Sequence, residues 1–180
     1  MIIGLSLLID WFLGEPPSRL HPVVWFGQLL TAVERFRGKG SDFLLGTFVI
    51  LCGAVVVFFL MLLLVDFLES LHIGWYILLT SILLKPTFSF RMLIQEISAV
   101  ESALQQNLEH GRQRLSYLVS RDTSSLSIAE VRESALESVA ENASDSVVAP
   151  LFWFLMLGLP GAYLYRFCLL YTSPSPRDRG

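Results

Sequence analysis

Residues 120–153 read SRDTSSLSIAEVRESALESVAENASDSVVAPLFW, and this stretch holds most of the groups in the chain that are suited to chemistry. Ser127 and Glu130 have the spacing of a capping box, in which two side chains satisfy free amide groups at a helix start. The pattern predicts a helix from Ser127 to about Asn142. Its glutamates at positions 130, 133, 137 and 141 recur every three or four residues and therefore share one helical face.

This acidic face has two interpretations. Six acidic and two basic residues between positions 120 and 146 give that segment a net charge of −4, whereas the whole chain carries −3. A bound Mg²⁺ ion would relieve the repulsion among the carboxylates and orient nucleotide phosphates. In the other interpretation the face is solvated, with Glu133 and Glu137 paired to Arg132 or to another basic residue. Spacing alone favours the solvated face.

The residues just before this helix form a second candidate site. Arg121, Asp122 and the hydroxyl residues 123–125 place a guanidinium and a carboxylate beside a helix start, where anions are stabilised. We expect a phosphate group to suit this place. The alternative is that Asp122 and Thr123 only stabilise a turn. The chain contains no glycine-rich Walker loop, which excludes a P-loop ATPase.

The composition predicts an all-α, multi-pass integral membrane protein. Hydrophobic residues make up 53% of the chain and charged residues 16%, and the mean hydropathy is +0.59. Residues 43–65 carry no charge and are long enough, as a helix, to cross a hydrocarbon core of ~30 Å. Further spans are expected at about 1–14, 73–90 and 147–165. Proline and glycine in the last segment leave open a broken or re-entrant helix.

The charges around residues 43–65 predict the orientation of the chain. Basic residues at 35, 37 and 39 precede this segment, and acidic residues follow it. The positive-inside rule then places the preceding side, and the later segment at about 86–146, in the cytoplasm. Within that later segment, apolar periodicity predicts an amphipathic helix from Ser89 to about Val119, interrupted near Gly111. The scattered basic residues argue against nucleic acid as a partner.

Three ionisable residues lie in or near the predicted spans. Asp10 lies in an apolar segment, where an acid is a functional candidate unless the segment ends near Trp11 and leaves it interfacial. Lys85 is expected to extend its amine toward the membrane surface while the helix continues through Pro86. His21 is a candidate for proton transfer, although a lone histidine at a helix start is more often structural. Neither cysteine has metal-ligand spacing, and no serine lies in a nucleophile elbow.

Two blocks of this sequence resemble the CobD/CbiB family of cobalamin-biosynthesis proteins. Residues 120–152 match the family pattern S-R-D-T-S, a spacer, then E-S-x-A-E-N-x-S-D-G-V-V-A-P-L-F, with Ser146 where the family usually has glycine. Residues 10–23 are similar to the opening D-x-x-x-G-D-P-P-x-x-x-H-P-V, with Glu15 in place of the aspartate. The resemblance covers about residues 5–165.

The resemblance implies a multi-pass inner-membrane adenosylcobinamide-phosphate synthase. Enzymes of this kind join aminopropanol, commonly as its O-phosphate, to a propionate carboxyl of adenosylcobyric acid. The amide ligation uses ATP as a co-substrate and Mg²⁺ as the metal. Activation of the carboxylate as an acyl phosphate, followed by attack of the amine, is the expected course. Membrane lipid and other enzymes of the cobalamin pathway are the expected partners.

The resemblance and the charge pattern together suggest roles for individual residues. A catalytic set is expected to hold Mg²⁺–ATP or the substrate ammonium, and a second set is expected to bind substrate or phosphate. Within the catalytic set, the expected Mg²⁺ ligands are Glu141 and Asp145. The catalytic set is Glu137, Glu141, Asn142 and Asp145, and the second set is Arg121, Asp122, Thr123, Ser124 and His21.

Two expectations concern the chain as a whole. Residues 1–166 are expected to form the N-terminal part of one membrane domain. Residues 167–180 depart from the family pattern and are expected to be a foreign or disordered tail, so that the 180-residue chain itself is inactive. The competing functional class is a non-catalytic membrane component, either a scaffold for soluble pathway enzymes or a transporter of a corrinoid precursor.

Overall fold

The computed structural model describes residues 1–14 and 43–172, and every regular element within them is helical. The predicted all-helical fold is confirmed for these residues. His21 and the basic residues at 35, 37 and 39 lie outside them. The elements in chain order are α1 (Ile2–Leu13), α2 (Phe43–Glu69), α3 (Ile73–Leu84), a 3-10 turn (Lys85–Thr87), α4 (Phe90–Gln106), α5 (Leu108–Ser116), α6 (Ile128–Ala143), a π turn (Ser144–Val148) and α7 (Ala149–Thr172).

The described residues divide into two compact units with different cores. We call them the apolar unit, formed by Met1–Phe88 and Ala149–Gly180 as far as these are described, and the polar unit, formed by Ser89–Val148. Every residue of the two predicted site sets except His21 lies in the polar unit. The buried core of the apolar unit is Val57, Leu68, Leu84, Phe88, Leu159, Ala162, Tyr163 and Phe167, and that of the polar unit is Val100, Leu104, Leu115, Val131 and Ala135.

Two helical stretches in the described part of the chain are long and apolar enough to cross a membrane. They are Leu51–Glu69 and Ile128–Leu170, in which an 18-residue window has a mean hydropathy of 2.8 and 1.8, respectively. The second stretch includes the charged α6 and a break at Gly158. The number of candidate spans in the described residues rises to three if Ile73–Thr87 and Phe90–Gln106 together form one broken span. α1 has 12 residues, which at ~1.5 Å per residue is too short to cross a ~30 Å hydrocarbon core alone.

The helices of the apolar unit pack in two pairs, α2 on α7 and α1 on α3. Gly53 of α2 allows a close approach, since a Cβ atom there would lie 2.7 Å from the ring of Phe167. Phe167 is buried, so the first residues of the predicted tail are helical and contribute to the core. The Tyr163 hydroxyl donates to the Leu83 carbonyl at 2.8 Å and connects α7 to the end of α3. Residues 173–180 lie outside the described residues.

An ion pair is buried where α1 meets the end of α3. α1 continues to Leu13 and does not end near Trp11, so Asp10 is inside the helix. The side chains of Asp10 and Lys85 are only 1% and 4% exposed, and their Oδ1 and Nζ atoms lie 3.1 Å apart. The expectation that Lys85 extends to a membrane surface is therefore wrong. Its amine is held by Asp10 because a buried charge needs a partner of opposite sign.

The helix also does not continue through Pro86 as expected. Proline has no backbone N–H to donate, and α3 ends at Leu84, where the 3-10 turn begins. The Thr87 hydroxyl donates to the Leu84 carbonyl at 2.7 Å and so satisfies one of the carbonyls at the helix end. The segment predicted as one span at 73–90 is thus a helix followed by a tight buried turn.

α7 is broken at Gly158, which confirms the broken-helix alternative for this segment. Gly158 has φ 68° and ψ −156°, a backbone region that only glycine adopts readily. A Cβ atom on Gly161 would overlap the carbonyl oxygen of Trp153. Because eight residues of a straight helix extend about 12 Å, this contact requires the chain to fold back sharply. The two arms, 149–157 and 159–172, are each shorter than a ~30 Å hydrocarbon core.

In the polar unit, the single helix predicted for residues 89–119 is two helices, α4 and α5. The break lies at Asn107 and not near Gly111, because the Asn107 Oδ1 accepts the His110 N–H at 2.8 Å and caps α5. Gly111 has a different role. A Cβ atom there would overlap the Leu104 side chain, so the glycine lets α5 pack closely on α4.

Candidate ligand-binding cavity

α6 begins with the predicted capping box. The Ser127 Oγ accepts the Glu130 N–H at 3.4 Å, and the Glu130 Oε2 accepts the Ser127 N–H at 2.7 Å. The helix extends from Ile128 to Ala143, which confirms the predicted helix to within one residue. Glu130 therefore caps the start of α6, and the acidic face available for other roles begins at Glu133.

The loop between α5 and α6 is fastened to both helices by side-chain hydrogen bonds. The Thr123 hydroxyl donates to the Arg112 carbonyl at 3.0 Å, and the Arg112 Nε donates to the Leu126 carbonyl at 2.8 Å. The Ser138 hydroxyl of α6 donates to the Leu118 carbonyl at 3.2 Å. These bonds satisfy loop carbonyls and fix the loop against α6.

Asp122 forms a local turn within this loop. Its Oδ1 accepts the Ser124 N–H at 2.9 Å, and its Oδ2 accepts the Ser124 hydroxyl at 3.0 Å. These hydrogen bonds hold the pKa of the Asp122 carboxyl below its ordinary value. Three of the residues predicted to bind phosphate, Asp122, Thr123 and Ser124, therefore have loop-forming contacts, which agrees with the turn alternative for the first two.

A cavity of about 400 Å³ lies between the α5–α6 loop and α6. It brings together one member of the predicted phosphate-binding set, Arg121, and three of the catalytic set, Glu137, Glu141 and Asn142. The other described members of the two sets do not line it. The lining residues are Leu118, Val119, Ser120, Arg121, Ser134, Glu137, Ser138, Glu141 and Asn142.

Two buried serines complete the α6 wall of the cavity and were not predicted. Ser134 and Ser138 are separated by one helical turn and are polar residues on a buried face. Their small side chains leave room beside the carboxylates. The signal in the sequence was the spacing of Ser134, Ser138 and Asn142, which recur every four residues where a core-facing helix would have apolar side chains.

An ion pair connects the two walls of the cavity. The Arg121 Nη2 donates to the Glu137 Oε2 at 2.9 Å, and the two side chains are 51% and 59% exposed. Arg132 pairs with Glu101 of α4 through two hydrogen bonds of 2.8 and 2.6 Å. The solvated-face interpretation expected Glu137 to pair with Arg132 or with another basic residue, and the exposed Arg121–Glu137 pair agrees with the second of these. Glu137 thus has a basic partner from the loop, inside the cavity.

The donor set of the cavity suits a hard cation. The Asn142 Nδ2 donates to the Ser138 carbonyl at 2.8 Å, which leaves the amide oxygen of Asn142 as its acceptor group. Among residues 1–14 and 43–172, no three His, Cys, Asp or Glu side chains gather closely enough to hold a metal by themselves. Glu137 and Glu141 supply the oxygen ligands that Mg²⁺ prefers, and this ion can bind through one or two carboxylates with phosphate and water completing its shell, so Mg²⁺ binding here stays a prediction.

Asp145 lies in the π turn that follows α6 and is exposed. Asp145 would extend the row of acidic residues only if the α-helix continued to it, but the helix ends at Ala143. In the π turn, the Ser146 carbonyl accepts the Ser89 N–H at 3.0 Å. A π turn changes the angle between successive side chains, and such turns are frequent at functional sites. Joint coordination of Mg²⁺ by Glu141 and Asp145 stays a prediction.

The described chain is therefore a helical protein that combines apolar helices of membrane-spanning length with a charged cavity in a separate unit. The family model described as CobD/Cbib protein matches residues 3–170, and the chain belongs to this family. No solved structure matches the chain.

Three relatives illustrate the similarity. The chain is 40% identical over 165 residues to the probable cobalamin biosynthesis protein CobD of Methanothermobacter thermautotrophicus, which covers 92% of this chain and 54% of that protein. It is 40% identical over 168 residues to the protein of the same description from Pyrococcus abyssi, covering 92% and 56%. It is 35% identical over 177 residues to the cobalamin biosynthesis protein CobD of Dehalococcoides mccartyi, covering 96% and 58%. The chain thus spans a little over half the length of these relatives.

Proposed function

We propose that this chain contributes to cobalamin biosynthesis as part of an ATP-dependent amide ligase. The ligase would join aminopropanol, or its phosphate, to adenosylcobyric acid. The observation that carries the proposal is the meeting of Arg121 with Glu137, Glu141 and Asn142 around one cavity in a member of the CobD/CbiB family. An anion-binding group and cation-binding groups are both needed where a phosphorylated amine meets ATP.

Amide formation from a carboxylate needs an activated acyl group. In the proposed reaction, the substrate carboxylate takes the terminal phosphoryl group of ATP and ADP leaves. The amine then attacks the acyl phosphate, the amide forms, and inorganic phosphate leaves. Arg121 would orient a phosphate through its guanidinium, and Glu137 and Glu141 would hold the ammonium group and accept its proton. In the alternative arrangement, Glu137, Glu141 and the Asn142 oxygen would hold Mg²⁺ in place of the ammonium, and the ion would neutralise phosphate charge.

The size of the cavity limits what enters it. A volume of about 400 Å³ lies at the small end of ordinary ligand pockets, ~300–1,000 Å³. It suits a small phosphorylated amine or the phosphate groups of a nucleotide.

We also propose that the protein is a multi-pass protein of the cell membrane, with the polar unit in the cytoplasm. The apolar surface of α2 supports this, because large hydrophobic side chains are exposed along the helix and need lipid or protein around them. The cytoplasmic location would give the cavity access to ATP. The exposed hydrophobic residues of α2 are Phe48, Leu51, Val55, Val56, Phe59, Leu60, Leu62, Leu63 and Phe67.

Growth of a strain that lacks the ligase and is fed cobyric acid tests the proposed function. A protein of the relatives' full length that contains residues 1–166 is expected to restore growth, and the 180-residue chain, which spans a little over half that length, is expected not to. The purified full-length protein should consume one ATP for each amide formed. Membrane expression without growth, and without amide product from purified protein, would favour a scaffold or a transporter instead.

A further inference from the structure

The two arginine–glutamate pairs of α6 are built differently. Arg132 uses Nε and Nη2 to bind both carboxylate oxygens of Glu101, and this pair joins α4 to α6. Arg121 lies in the loop and contacts Glu137 through Nη2 and Oε2 at 2.9 Å. A two-bond fork fixes the geometry of both partners, whereas a single contact between exposed side chains is weak and screened by solvent.

Arg121 and Glu137 lie where a ligand in the cavity can separate them. Both residues line the cavity, so a ligand that enters can reach either side chain. Glu141 lies one turn further along the same wall and is also exposed. When Arg121 is bound by another anion, the Glu137 carboxylate loses its basic partner and adds its charge to that of Glu141.

We propose that the Arg121–Glu137 pair is an exchangeable contact that couples anion binding to cation binding in the cavity. A phosphate-type group displaces Glu137 from Arg121, and the released carboxylate joins Glu141 in attracting a cation. The coupling is reciprocal, so a bound cation also favours the anion. This inference rests on the proposed function, in which the cavity receives a phosphate. It adds that Arg121 and Glu137 change partners when that phosphate binds.

Phosphate binding to charge-matched variants tests the exchange. Glu137→Gln and Glu133→Gln each remove one negative charge from α6, but Glu133 does not line the cavity. Glu137→Gln is expected to bind inorganic phosphate about two- to fivefold more tightly than Glu133→Gln, because Arg121 no longer has a competing carboxylate. Arg121→Gln is expected to lose phosphate binding. Calorimetric titration of the detergent-purified protein measures all three, and circular dichroism confirms that each variant is folded.

Propylammonium, which forms no stable complex with phosphate, tests the coupling. Saturating phosphate is expected to tighten propylammonium binding about two- to fivefold in the unsubstituted protein and in Glu133→Gln, and to leave it unchanged in Glu137→Gln. Equal phosphate affinities for Glu137→Gln and Glu133→Gln, no phosphate binding by any form, or coupling that persists in Glu137→Gln would each overturn the proposal. Ligation is not part of these measurements, so an inactive enzyme with coupled binding contradicts only the proposed function.

Discussion

An ion pair of the apolar unit, Asp10–Lys85, and one of the polar unit, Arg121–Glu137, differ most in their burial. Asp10 and Lys85 are 1% and 4% exposed between apolar helices, whereas Arg121 and Glu137 are 51% and 59% exposed at the cavity. The contact distances are similar, at 3.1 and 2.9 Å. Burial therefore decides what each pair does. A buried pair cannot be opened without leaving a charge in an apolar interior, and an exposed pair can be replaced by water or a ligand.

Opening the buried pair is expected to have the largest effect. Asp10→Asn leaves the Lys85 charge buried without its carboxylate, and Lys85→Met does the same to Asp10. Each substitution is expected to lower the free energy of unfolding by about 3–5 kcal/mol. Loss of helicity during titration with sodium dodecyl sulfate, followed by circular dichroism, measures the change.

The double variant Asp10→Asn with Lys85→Met distinguishes charge from packing. It removes both charges and keeps side chains of similar volume, so most of the lost stability is expected to return. If the double variant is as unstable as the sum of the two single variants, the pair is not the reason for their instability.

Removing the break in α7 is expected to have the next largest effect. Gly158→Ala forces a side chain into the backbone region at φ 68° and ψ −156° and is expected to cost about 1–3 kcal/mol of stability. Gly4→Ala is the matched control, because no atom outside its own helix backbone lies within 4 Å of an added Cβ there. Equal stability of these two variants in the same titration would argue against a required break at Gly158.

Loss of the α6 cap is expected to act only on the polar unit. Ser127→Ala removes the acceptor for the Glu130 N–H and is expected to destabilise the helix by about 0.5–2 kcal/mol. Hydrogen exchange of the α6 amides should increase, with no change in α2. The exposed Ser125 provides the control substitution Ser125→Ala, and faster exchange in both variants would mean that the cap is not the cause.

Breaking the exposed pair is expected to have the smallest effect on stability. Arg121→Gln should change the free energy of unfolding by less than about 1 kcal/mol, because exposed pairs contribute little. The same variant is expected to lose phosphate binding. A destabilisation as large as that of Asp10→Asn would show that the two pairs have the same structural role. It would contradict the claim that burial decides what each pair does.

Local patterns in the sequence predicted the elements of the site well. The capping box at Ser127 fixed the start of α6, and the spacing of Glu137 and Glu141 placed them on one face. The charge-free segment at 43–65 lies within α2, which continues to Glu69. These features depend on interactions between residues close in the chain, so their signals are local.

Features that depend on contacts between distant elements were not predictable. Asp10 and Lys85 are 75 positions apart, and nothing in either segment indicates the pairing. The helix break at Asn107 is an exception, because it depends on a local cap of the His110 N–H, and the prediction of a break near Gly111 overlooks this signal. The pairing of Arg121 with Glu137 depends on how the loop between α5 and α6 folds against α6.

The most direct test of the central claim, that the cavity on α6 is the ligation site, compares two substitutions in a protein of the relatives' full length that contains residues 1–166. Glu141→Gln removes a carboxylate that lines the cavity, and Glu133→Gln removes one from the same helix that does not. In the cobyric-acid-fed strain, with equal amounts of protein in the membrane, Glu133→Gln is expected to restore growth and Glu141→Gln is expected to fail. Growth of the Glu141→Gln strain at the unsubstituted rate would contradict the claim.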